Sequence, residues 1–193
     1  ETSGRPNVEI KYSTFVSNSA TTGDGGAIYL GKADLQMHNT TIKLSTAKKS
    51  GGALFLHFAT STFDGTDLLD NKATTGNGGA LSGRASSVVF STNSLIEGNS
   101  AKLSGGGLFA LVSPVTLEGG TRVVKNVATD GNGGAINALT ESIVVLRNGV
   151  LIQSNRALNS HGGGLSCDSC ESIKMTDSVL EKNTASKGGC VSL

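Results

Sequence analysis

The side chains able to do chemistry are few here, and their spacing limits what they can do. His38 and Asp64 lie 26 residues apart. They form a general acid–base pair only if the chain returns to bring them side by side, and on an open surface such a contact is a weak ion pair. Thr22-Gly23-Asp24-Gly25, Thr75-Gly76-Asn77-Gly78 and Thr129-Asp130-Gly131-Asn132 have the residue types of a calcium loop. Calcium needs several oxygens converging at about 2.3–2.6 Å. With Lys48-Lys49 between the first two segments, Asp, Asn and Gly at bends are the simpler reading. His57 and His161 have no partner ligands at metal spacing. No cofactor is implied.

Cys167-Asp168-Ser169-Cys170 has CxxC spacing, but the βαβ context of a redox motif is missing and a zinc site lacks a fourth ligand. A local disulfide between Cys167 and Cys170 is the preferred reading. Cys190 is left as a buried thiol or a half-cystine paired outside this segment. Asn39-Thr40-Thr41 is a candidate N-glycan site at Asn39. Together these features lean towards an oxidising, exported setting.

What positions these residues is a repeat. Asn126-Val127-Ala128-Thr129-Asp130-Gly131-Asn132-Gly133-Gly134-Ala135-Ile136 is one of seven copies of a phrase: an Asn, an Ala two residues on, a polar turn, two glycines, a small residue and an aliphatic. The Asn position is filled by Asn18, Ser45, Asn71, Asn99, Asn126, Asn155 and Asn183, in steps of 27, 26, 28, 27, 29 and 28 residues. The glycine turns are Gly25-Gly26, Gly51-Gly52, Gly78-Gly79, Gly105-Gly106, Gly133-Gly134, Gly162-Gly163 and Gly188-Gly189. A period of this size signals a solenoid or a propeller.

Short alternating runs bounded by turns read as half-buried strands. One follows each glycine pair, as in Ala53-Leu54-Phe55-Leu56; a second is Leu35-Gln36-Met37 or Val88-Val89-Phe90; a third apolar position precedes the Asn by three, from Phe15 and Ile42 to Leu180. A propeller blade needs four antiparallel strands and about 40–50 residues, whereas a β-helix coil fits the shorter unit. The expectation is an all-β, right-handed parallel β-helix of about seven coils of 26–29 residues, with three short strands per coil. Equivalent residues then stack about 4.8 Å apart. The Asn column becomes an amide ladder (Asn18, Asn71, Asn99, Asn126, Asn155, Asn183), and the constant Ala marks a crowded corner.

The whole of 1–193 reads as one β-helix segment. Neither end shows a polar cap, so we expect a slice of a longer solenoid. A net charge of +1 gives no electrostatic case for nucleic acid, and Lys48-Lys49 reads as a solvated turn. No run approaches the roughly 18 apolar residues of a membrane span, so direct membrane insertion of this segment is not expected.

A carbohydrate-cleaving β-helix needs stacked carboxylates on one face. The outward column after the glycines reads Tyr29, Phe55, Ser82, Phe109, Asn137, Ser166, Ser192 and has none. His38 and Asp64 should be neighbours one coil apart, most simply as a surface ion pair. Tyr29, Phe55 and Phe109 instead form a candidate binding surface for sugar rings or a protein partner.

The repeats resemble the Gly-Gly-Ala-[Ile/Leu/Val] and Phe-x-x-Asn motifs of chlamydial polymorphic outer membrane proteins, a repeat type also met in large secreted proteins of protists and algae. Gly25-Gly26-Ala27-Ile28, Gly51-Gly52-Ala53-Leu54, Gly78-Gly79-Ala80-Leu81 and Gly133-Gly134-Ala135-Ile136 match the first motif, and Phe15-Val16-Ser17-Asn18 matches the second. Other copies place an aliphatic where the Phe stands, and Gly107, Gly164 and Cys190 replace the Ala. The resemblance implies a right-handed parallel β-helix displayed at a cell surface. On that basis we expect a non-enzymatic, extracellular structural and adhesion module meeting a protein or glycan. The alternatives are a filament or coat subunit binding further copies of itself, and a polysaccharide-binding or polysaccharide-cleaving β-helix.

Overall fold

The structure, a computed structural model, describes residues 4–193. The first coil contains β1 (Asn7–Lys11), β2 (Thr14–Val16), β3 (Ser19–Ala20) and β4 (Ile28–Gly31). Each heads a seven-stranded sheet whose members come from successive coils, and every pairing is parallel. The chain is therefore a seven-coil parallel β-helix, with no α-helix among the described residues.

Each coil has four strands, not the expected three. The additional sheet has two-residue strands in its first five coils, such as Ser19–Ala20, Thr46–Ala47 and Lys72–Ala73, and longer ones, Arg156–His161 and Thr184–Lys187, in the last two. Two residues cannot display an alternation, so the sequence presents them as a corner. The constant Ala is the inward residue of this third sheet, and Ala47, Ala73 and Ala128 are fully buried there.

Four strands require four bends, and each bend contains a residue with left-handed backbone. Between the second and third sheets these are Ser17, Leu44, Asp70, Gly98, Lys125, Ser154 and Lys182, each immediately before the Asn position. Between the fourth and first sheets they include Lys32, Phe58, Ala85 and Val112. Glycine avoids the steric cost of this region and L-residues bear it. Val112, with φ at 53°, is β-branched and ill suited to it, as are Thr92 and Thr140.

The two glycines of the recurring pair have different tasks. Gly51 has φ at 69°, and a Cβ there would collide with the Leu54 carbonyl as the chain turns into the fourth sheet. Gly52 has no such φ; a Cβ on it would strike the Gly79 carbonyl and the Lys72 backbone of the next coil. The first permits the turn and the second permits the stacking.

The core fills with like-on-like columns. Phe15, Ile42, Leu68, Ile96, Val123, Ile152 and Leu180 pair in register down the second sheet. In the first sheet Met37, Phe63, Phe90, Leu117 and Leu146 align. Phe63 and Phe90 stack with centroids 4.4 Å apart. Ser61 breaks the neighbouring aliphatic column between Leu35 and Val88; it is fully buried and its hydroxyl has no partner.

Candidate functional site

The most organised polar feature of the molecule is the Asn spine, set by the left-handed residue that precedes each position. Asn71, Asn99, Asn126 and Asn155 each donate from the backbone N–H to the Oδ1 of the next Asn, at 2.9–3.0 Å. Each also donates from Nδ2 to that same Oδ1 at 2.9–3.0 Å. The Nδ2 groups of Asn71 to Asn183 further reach the carbonyl three positions before the Asn site of the preceding coil: Ile42, Leu68, Ile96, Val123 and Ile152. Ser45 interrupts the spine. Its N–H still reaches Asn71 Oδ1 at 2.9 Å, but it offers no amide oxygen to the coil before, and the buried Nδ2 of Asn18 has no partner.

Three further ladders line the other bends, and sequence reasoning missed them. Ala59, Ser86 and Ser113 donate their N–H groups to the hydroxyls of Ser86, Ser113 and Ser142. At the bend after the first sheet, Ser13 and Thr66 donate to Thr40 and Ser94. In the glycine turn Asp24, Ser50, Asn77, Ser104 and Asn132 alternate, each side-chain oxygen taking the N–H of the residue above, up to His161. This last ladder engages the calcium-like segments in backbone hydrogen bonding. No group of three His, Cys, Asp or Glu side chains converges among the described residues. The signal available in the sequence was a column of short polar residues, blurred by Ala, Ser and Thr replacing one another.

His38 and Asp64 are register partners, with Nδ1 and Oδ2 3.4 Å apart on a half-exposed surface. Asp64 is held below the ordinary carboxylate range by hydrogen bonding from Thr92 and then from His38 and Ser91. Asp67, close in sequence, is pushed up by burial, which outweighs the backbone hydrogen bond from Leu95. The column continues through Ser91 to Glu118, a second carboxylate two coils from Asp64 that is ion-paired to Arg147 at 2.6 Å.

The expected aromatic surface is not continuous. Tyr29 is 60% exposed, but Phe55 and Phe109 are 4% and 5% exposed. Phe55 is sandwiched between Tyr29, stacked at 5.2 Å, and the Arg84 guanidinium at 5.4 Å. The turn at Gly51 also closes on the start of this strand. Alternation predicts which side of the sheet a residue takes; here the turn and the neighbouring coils cover that side. Ser82 and Asn137 of the same column are buried as well, and their side-chain polar atoms lack partners.

Cys167 and Cys170 form a disulfide joining the end of a fourth-sheet strand to the following bend, Cα to Cα 5.4 Å. Cys190 is a free thiol on the last coil, exposed rather than buried. Its backbone lies over Gly164, whose N–H bonds the Cys190 carbonyl. Asn39 is exposed at the bend after the first sheet, with φ at 45°.

Residues 12–31 match the repeat of the Chlamydia polymorphic membrane protein family. They span Phe15-Val16-Ser17-Asn18 and Gly25-Gly26-Ala27-Ile28, the coil holding both motifs in strict form. No curated protein and no solved structure matches the chain. The parallel coils place each later Asn and glycine pair in register with these residues, so the chain is a parallel β-helix whose first coil matches the Chlamydia polymorphic membrane protein repeat.

Proposed function

We propose that this chain is a non-enzymatic, surface-displayed module: a rigid β-helical stalk that holds distance and presents its flanks for adhesion. The observation that carries the reading is the union of a membrane-protein repeat with an amide spine that locks successive coils. Six inter-coil steps make a rod of roughly 29 Å. Apart from the breaks at Ser45 and Ser61, its columns repeat in kind from coil to coil, which gives stiffness along the axis and leaves the flanks free to vary. The His38–Asp64 contact stands two coils from Glu118, the other carboxylate of its column, which Arg147 already neutralises, and this supports a non-enzymatic reading. Labelling intact source cells with an antibody against this segment, before and after protease shaving, tests display. Surface staining removed by protease is expected; staining that appears only after lysis would overturn the reading. Incubation with polyuronates, watching for new reducing or unsaturated ends, tests the absence of catalysis.

A further inference from the structure

The net charge of +1 hides a segregation that stacking creates. The third-sheet strands with the turns that follow them carry Lys48, Lys49, Lys72, Lys102, Arg156 and Lys187 against two acids, Asp24 and Asp130. That leaves ten cationic and thirteen acidic side chains for the rest of the chain. All six cations are exposed. Lys102 is paired to Asp130 at 2.7 Å, and the other five have no acid within bridging distance among the described residues.

This face is also concave. A hollow of about 220 Å³ is lined by Lys72, Thr74, Ser100, Lys102 and Thr129, floored by Ala73 and Ala101. A second, of about 240 Å³, repeats the arrangement at Arg156, Ala157, Leu158, Thr184 and Ala185. Both lie on the third sheet, one across the third to fifth coils and the other across the sixth and seventh, an interrupted trough along the axis. The Lys48 turn is held in place, since the Thr74 and Thr75 hydroxyls donate to its carbonyl at 3.0 and 2.6 Å.

We propose that this trough binds an extended anionic polysaccharide, sulfated or uronate-bearing, laid along the helix axis. From Lys48 in the second coil to Lys187 in the seventh, the cations span about 24 Å, which suits a polymer rather than a small anion. Dispersed lysines above Thr and Ser suit sulfate, carboxylate and hydroxyl groups. No aromatic side chain stands on this face, so the bases of a single-stranded nucleic acid find no stacking platform. The proposal gives the adhesive partner of the stalk a chemical class, and it depends on surface display only for where that polymer is met.

The test is binding of the purified chain to heparin at about 0.15 M salt, with neutral dextran and poly(U) as comparison polymers. We expect heparin binding that weakens as salt rises, at least tenfold loss in the triple variant Lys48→Gln, Lys49→Gln, Lys72→Gln, and less than twofold loss in a triple placed elsewhere, Lys11→Gln, Lys32→Gln, Lys174→Gln. On the unaltered protein, bound heparin should protect Lys48, Lys49 and Lys72 from acetylation, read by mass spectrometry, which needs no variant to fold. No binding, equal loss in both triples, protection centred on other lysines, or preference for poly(U) or dextran would each overturn the proposal. Heparin binding with no surface staining of cells would sustain the site while rejecting display.

Discussion

Asn99 accepts on one oxygen, Oδ1, both the backbone N–H and the Nδ2 of Asn71, at 2.9 and 3.0 Å. One side chain thus satisfies two buried donors of the coil before it, while its own Nδ2 serves the Leu68 carbonyl at 2.8 Å. Asn126→Ala should strand the Asn99 N–H and remove one bond each from Asn99 Nδ2 and from the Ile96 and Val124 carbonyls, though Nδ2 keeps Leu68 and Glu97 and Val124 keeps the Gly98 N–H. The unsatisfied buried N–H costs about 1–3 kcal/mol and each lost bond about 0.5–1.5 kcal/mol, so we expect a loss of about 3 kcal/mol or more by urea unfolding.

Ser45→Asn should act in the opposite direction. It supplies the missing amide oxygen to the unpartnered Nδ2 of Asn18 and a donor towards Asn71. A gain of about 1 kcal/mol is expected; an unchanged or lower urea midpoint would show that the break in the spine is not a defect.

Ser61→Val replaces a buried, unpartnered hydroxyl in a column that otherwise holds Leu35, Val88, Val115 and Val144. Removing the stranded polar atom and filling the column should stabilise by about 1–2 kcal/mol, seen as a raised melting temperature.

Val112→Gly tests the strain at the bends. Val112 is exposed and left-handed, so glycine should stabilise by about 1 kcal/mol despite its greater freedom when unfolded. Gly52→Ala should be strongly destabilising, because the clash there is with backbone of the next coil.

Two neighbouring carboxylates should respond to pH with opposite sign. Asp64 titrates below its unfolded value, so its contribution is present above about pH 4 and is lost as pH falls through the lowered folded value. Asp64→Asn should therefore cost stability at neutral pH and match the parent in strong acid. Asp67 titrates above its unfolded value, so the parent loses stability as pH rises through the folded value. Asp67→Asn should be the more stable protein at neutral pH and lose that advantage below about pH 4. Urea midpoints across pH 3–7 check both.

Features repeated in every coil were legible in the sequence. The Asn spine, the glycine pairs and the apolar column from Phe15 to Leu180 announce themselves seven times over. The third sheet was not, because its strands in the first five coils, such as Thr46–Ala47, are too short to alternate. The burial of Phe55 and Phe109 was hidden for a different reason: periodicity assigns a side, and only the folded turn reveals what covers it. The cationic trough was invisible because Lys48, Lys72, Lys102 and Arg156 belong to different coils and become neighbours only when the coils stack.

The glycine-turn ladder alternates. Asp24, Asn77 and Asn132 belong to turns with four residues between Ala and Gly, while Ser50 and Ser104 belong to turns with three. Gly76 and Gly131 of the longer turns lie directly against Ser50 and Ser104 of the shorter ones. Through the first five laps, unlike parts therefore interlock. The fifth and sixth turns both have four residues and meet instead with Ser160 and His161 on Asn132, so a lap removed from the first five would leave a joint of the kind the chain already makes there.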